Sequence, residues 1–137
     1  MQDINAAIEV FYYAHRAIIA RPDAILAKYG LSRVHHRILY FIGRNPELSV
    51  NDLLGKLGVS KQSLNAPMRK LLELGFVVST HDLTDRRVKR LTLSDIGKKL
   101  ENELTSDQKR RFAKAFSKID KEGELLWFRV METLSED

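Results

Sequence analysis

Residues 49–75 read SVNDLLGKLGVSKQSLNAPMRKLLELG, and the spacing within this stretch decides the fold. Ser49, with Asp52 three residues on, resembles a capping box that opens a short helix through Leu53, Leu54 and Leu57. Gly58 permits a tight turn, Ser60 is placed to cap a second helix, and Gly75 is suited to end it. The second helix carries Leu64, Met68, Leu71 and Leu72 at inward spacing, while Leu53, Leu57, Val59, Leu64 and Met68 can pack the two helices together. Two short helices joined by a Gly-containing turn, Val50 to Lys56 and Ser60 to Leu74, form a helix-turn-helix pattern whose second helix can enter a DNA major groove.

The outer face of that second helix holds Lys61, Gln62, Asn65 and Arg69. Asn, Gln and Arg are the side chains that pair two-pronged with adenine or guanine edges, and Ala66 beside them suits a thymine methyl. Ser60, at the helix start, completes the candidate face. Pro67 lies inside the helix and removes one backbone hydrogen bond, leaving the Ser63 carbonyl without its usual partner, so a local bend is expected.

Downstream of Gly75 the period changes from helical to extended. Phe76 to Thr80 is rich in β-formers, Val88, Leu91 and Leu93 mark a second extended run, and Asp82-Leu83-Thr84-Asp85 between them is turn-forming. The pair reads as a hairpin with a basic tip: Asp85-Arg86-Arg87, then Lys89 and Arg90 on the returning strand. Cations on a loop beside a helix-turn-helix can reach a minor groove and its flanking phosphates. Asp85 is expected to aim a neighbouring guanidinium rather than to touch DNA.

Further out the chain is helical. Ile4, Ala7, Ile8, Phe11, Tyr12, His15, Ile18 and Ile19 repeat at steps of three and four after Asp3, the expected N-cap. Pro22 predicts a kink or restart before an end at Gly30. Ser32 opens a helix with Val34, Ile38, Leu39, Phe41 and Ile42 mostly inward, which Asn45-Pro46 stops. Ser94 and Asp95 open a long helix to about Ser117, and Asp120 or its neighbours a last one with Leu125, Leu126, Phe128, Val130 and Leu134. The order is four helices, a hairpin and two helices: a mostly α fold with a small β-hairpin wing, in which a winged helix-turn-helix is joined to a helical dimerisation region.

A chain of 137 residues suits one domain with a real core. Within it, residues 31–97 are read as the DNA-binding region and residues 1–30 and 98–137 as the dimerisation region. Residues 31–100 hold 13 Lys and Arg against 6 Asp and Glu, whereas the flanks hold 10 against 12, so the positive charge is gathered where a polyanion would bind. The absence of cysteine excludes disulfides, thiolate metal ligands and thiol nucleophiles. With no apolar run of membrane-spanning length and no secretory start, the expected compartment is the cytoplasm.

The stretch from Asp82 to Gly97, DLTDRRVKRLTLSDIG, resembles the wing signature of the MarR family, in which an Asp-Arg-Arg tip leads into a Leu-Thr segment and a helix-opening Gly. Leu71 to Val77, LLELGFV, is similar to that family's end of the recognition helix, and the likeness covers roughly residues 50 to 100. The resemblance implies a homodimeric transcription regulator on double-stranded DNA, with recognition helices in the major groove, wing arginines in the minor groove, and affinity often lowered by a small ligand. The DNA-binding set is therefore expected to comprise Ser60, Lys61, Gln62, Asn65, Ala66, Arg69, Asp85, Arg86, Arg87 and Lys89, with Asp85 acting through the arginine it aims, on an inverted-repeat site with half-sites roughly 34 Å apart. A small aromatic or phenolic effector is expected in the crevice between terminal helices and winged region. The family's thiol-oxidation sensing is excluded by the missing cysteine.

Rival readings carry less. His15, His35, His36 and His81 raise a zinc site, but adjacent His35 and His36 point about 100° apart on a helix, so no metal and no cofactor is expected. They are read instead as partly buried or phosphate-facing. Phe11, Tyr12, Tyr13 and Trp127 fit core or dimer interface better than a ligand pocket. An enzyme is not expected, for there is no glycine-rich phosphate loop and no acid pair in a recognisable setting. The runner-up function is a winged-helix module that works by protein contact, since fold alone does not establish function.

Overall fold

The computed structural model describes residues 3–137. In chain order these form α1 (Ile4–Lys28), α2 (Arg33–Arg44), β1 (Leu48–Ser49), α3 (Val50–Leu57), α4 (Lys61–Glu73), β2 (Val77–His81), β3 (Lys89–Leu93), α5 (Asp95–Phe116) and α6 (Lys121–Leu134). Side-chain caps start the helices where expected. Ser49 accepts from the Asp52 N–H at 3.0 Å, Ser60 from Ser63 at 3.1 Å, Ser94 from Gly97 at 3.1 Å and Asp120 from Gly123 at 2.7 Å. The α3–α4 turn needs Gly58, whose φ of 65° is a left-handed conformation.

The sheet is antiparallel in the order β1-β3-β2, with Val77 opposite Leu93, His81 opposite Lys89, and Leu48 opposite Leu91. The sequence reading has only the hairpin, because β1 is two residues long and shows no period. Its effect is to tie the α2–α3 connection to the wing.

The core is where the inward faces meet. Ile38, Leu39 and Ile42 of α2 share it with Leu53, Leu64, Leu71, Leu91 and Leu104, all buried. Two expected core positions lie outside it: Leu72 and Val59 are exposed. Leu72 stands one step round the helix from Leu71, on the side of α4 that turns away from this core.

Pro22 does not break α1, which runs unbroken from Ile4 to Lys28. Pro22 is buried, and the Ile18 carbonyl it cannot serve accepts from the Gln108 side-chain amide of α5 at 3.3 Å. Pro67 likewise lies within a continuous α4. Ser63 is exposed there, so water can meet its carbonyl.

Both adjacent histidines are buried, so of their two readings the buried one holds and the phosphate-facing one does not. His35 accepts the Ser32 N–H on Nδ1 at 2.9 Å, taking the part a Glu plays in a capping box. His36 Nε2 donates to Thr105 Oγ1 at 3.1 Å, and Thr105 in turn donates to Glu101. Burial, then Lys70 beside His35 and Arg37 beside His36, holds both imidazoles below their usual range.

A folded-state pKa below the unfolded value of about 6.5 means that the unfolded chain takes up protons first as pH falls. The stability contributed by the neutral imidazoles is therefore complete above that pH and lost below it. The melting temperature should be level above about pH 7 and fall below about pH 6.5, with a shallower fall in His36→Gln, which keeps a donor for Thr105. Identical curves for the two proteins down to pH 5 would contradict this.

Candidate nucleic-acid interface

Helix α4 and the wing face each other across an open depression of about 850 Å³. Lys61, Asn65 and Arg69 border it at intervals of four along α4, and Arg87 and Lys89 border it from the wing. Gln62 and Ala66 are exposed one position round the helix, outside the depression. Ser60 sits at the entrance of α4, its hydroxyl engaged with the Ser63 N–H and, at 2.9 Å, the Ser63 hydroxyl. Asn51 and Asp52 also border the depression, brought there by the Ser49 cap of α3. The sequence signal for them is that cap alone.

The wing tip is organised by its two aspartates. Asp82 accepts from the Thr84 hydroxyl at 2.7 Å, from the Thr84 and Asp85 N–H groups at 3.1 Å each, and from Arg90 Nε at 3.0 Å. The Thr84 hydroxyl first, and then the Arg90 guanidinium, hold its carboxyl well below the usual carboxylate range, so the turn keeps this anion throughout ordinary pH. Asp85 accepts the Arg87 N–H and Nε at 3.1 Å each and Nη2 at 3.4 Å. These bonds hold the Arg87 guanidinium beside Asp85, although its side chain is 91% exposed.

Arg86 is exposed, and its carbonyl accepts from His81 Nδ1 at 2.7 Å, across the base of the turn. Arg90, read from sequence as one more wing cation, turns back into the protein. Besides Asp82 it reaches the Glu47 carbonyl beside β1 at 3.5 Å, so its charge braces the wing. Among the described residues Lys61, Arg69 and Lys89, which border the depression, and Arg86, which lies outside it, form no ion pair.

A second, smaller groove of about 250 Å³ lies between α1, α2 and α5. Ile18, Pro22 and Phe41 give it an apolar side, while Arg33, His36 and Arg37 give it polar groups. Arg33 is already paired with Asp23 at 2.9 Å. Among the described residues there is no cluster of three or more His, Asp or Glu that could hold a metal ion. Nor is any helix among them long and apolar enough to cross a membrane.

The sequence model of the MarR family matches residues 29–88. The chain is 35% identical over 133 residues to the HTH-type transcriptional regulator PetP of Rhodobacter capsulatus, covering 97% of this chain and 80% of that protein. Its fold is similar to that of Streptococcus pneumoniae FabT solved in complex with DNA, with a TM-score of 0.81 at 16% identity over 96% of this chain and 94% of that one. It is also similar to NadR in complex with 4-hydroxyphenylacetate, with a TM-score of 0.75 at 23% identity over 99% and 94%.

Proposed function

The chain belongs to the MarR family of winged helix-turn-helix transcription regulators, and from that premise we propose that it works as a homodimer that reads an inverted-repeat DNA site and is modulated by a small ligand. The observation that carries this reading is the convergence of Lys61, Asn65 and Arg69 with Arg87 and Lys89 around one open depression. In this reading residues 31–97 are the DNA-binding region, and residues 1–30 with 98–137 are the dimerisation region of a single domain.

Asn65 and Arg69 read base edges, with Gln62 and Ala66 beside them. Lys61, Arg86 and Lys89 bind phosphate, with Ser60 at the helix entrance. Arg87, aimed by Asp85, enters the minor groove, where an arginine reads groove width. The groove between α1, α2 and α5 suits a one-ring aromatic acid, since 250 Å³ is below the usual range for drug-sized ligands of about 300–1,000 Å³. The 4-hydroxyphenylacetate held by a protein of the same fold supports that class.

Selection from randomised duplexes, followed by titration at two salt concentrations, tests the proposal. An enriched inverted repeat with half-site centres about one DNA turn apart, bound with a steep salt dependence, is expected. Recovery of no enriched sequence would overturn specific recognition.

A further inference from the structure

The first half of α1 and the second half do different things. Residues from Ile4 to Tyr13 are exposed apart from half-buried Ala6, whereas Pro22, Ile25 and Leu26 are buried in their own protomer. The segment between, Ile18 to Pro22, is therefore the fulcrum at which the helix leaves the protomer body. There Pro22 offers no N–H to the Ile18 carbonyl, and Gln108 Nε2 donates to that carbonyl from α5. Helix α5 begins at the foot of the wing, and its far end, at Phe112 and Phe116, packs edge-on against Trp127 of α6. Gln108 thus sits on the helix that joins the winged region to the terminal helices.

We propose that Gln108 is a positioning residue for DNA binding: by serving the carbonyl that Pro22 leaves open, it locks the register of α1 on α5 and so sets the separation of the two recognition helices. Apolar side chains in contact can slide by small steps, but a bond to one backbone oxygen has no equivalent position nearer than the next helical turn, about 5.4 Å away. Without the bond the half-buried carbonyl loses its only protein partner among the described residues, which penalises intermediate registers. The inference rests on the homodimer reading, because only in a dimer does the departure of α1 control a spacing.

The test uses the full chain and duplexes carrying its selected half-sites with the centre-to-centre distance altered by one or two base pairs. Wild type should lose about tenfold or more in affinity for one inserted base pair, and Gln108→Met, which keeps the shape but not the donor, about threefold or less. Pro22→Ala gives the Ile18 carbonyl an N–H within its own helix and should flatten the profile too. It favours the helix, so it remains informative if Gln108→Met fails to fold. Gln108→Met should add nothing further in the Pro22→Ala background. The salt slope should stay unchanged throughout, since no phosphate contact is altered.

A dimeric variant of either kind that keeps the wild-type spacing profile would overturn the inference. A flat profile in wild type itself would overturn the homodimer reading, and this inference with it.

Discussion

Gly97→Ala is expected to disrupt the joint between the wing and α5, where an added methyl meets the tightest contact of any glycine. A Cβ at Gly97 would lie 2.0 Å from the Phe76 carbonyl oxygen, 2.9 Å from its carbon and 3.2 Å from its Cα. All three are backbone atoms, so no side chain can swing away. The two segments are also pinned together, because Phe76 O accepts from the Ser94 N–H at 3.1 Å and Ser94 Oγ both donates to the Gly75 carbonyl and accepts from the Gly97 N–H.

Overpacking typically costs about 1–3 kcal/mol, and a clash between two backbones belongs at or beyond the top of that range. Against a total stability of roughly 5–15 kcal/mol this is a large fraction, and the melting temperature should drop by about 10 °C or more. Gly55→Ala is the matched control, for nothing lies within 4 Å of a Cβ there and the position is inside α3. It should gain roughly 0.5–1 kcal/mol. A Gly97→Ala protein that melts within about 2 °C of wild type would show that α5 shifts freely against β2, contrary to the geometry.

The second large effect is expected from the terminal helices. Ile8 is 62% exposed, Phe11 53%, Leu125 64% and Leu134 68%, and Phe128, 44% exposed, packs its ring on Phe116 of α5 and Trp127 of α6. So much exposed apolar surface on the two end helices of a small chain is what an interface between copies would cover. Glutamate at both Ile8 and Leu125 would desolvate badly in such an interface, yet costs little where the side chains already meet water. The double variant should be monomeric by light scattering at micromolar concentration with α2 to α5 still folded. Its affinity for the inverted repeat should fall on the order of 10²–10⁴-fold, because the second half-site no longer benefits from tethering to the first. A variant that stays dimeric would move the interface elsewhere, and a monomer with undiminished affinity would remove the need for a dimer.

Much of this is legible in the residues themselves. Ser49, Ser60, Ser94 and Asp120 mark helix starts because each supplies an acceptor for a free N–H, a local interaction that sequence spacing encodes directly. The basic wing and its Asp-Arg-Arg tip were legible for the same reason, since Asp85 and Arg87 meet two residues apart. What escaped depends on partners far away in the chain. Arg90 looks like another DNA-facing cation until Asp82 and the Glu47 carbonyl are placed around it. His35 and His36 look available until α2 is packed against Thr105 and Lys70. Pro22 signals a break until Gln108, 86 positions later, supplies the missing donor. β1 is invisible because two residues acquire a strand's geometry only by pairing with Leu91 and Arg90.

The proposed reading of bases by α4 is the central claim, and the ratio of affinities for the selected inverted repeat and a scrambled duplex, at one fixed salt concentration, tests it most directly. Asn65→Ala and Arg69→Ala should each reduce binding to the repeat by about 1–3 kcal/mol while leaving the scrambled duplex little changed, so that the ratio collapses. Lys89→Ala is the reference, expected to weaken both duplexes alike and keep the ratio. If Asn65→Ala and Arg69→Ala also weaken both duplexes equally, with the protein folded and dimeric, α4 contributes only charge and the account of recognition is wrong.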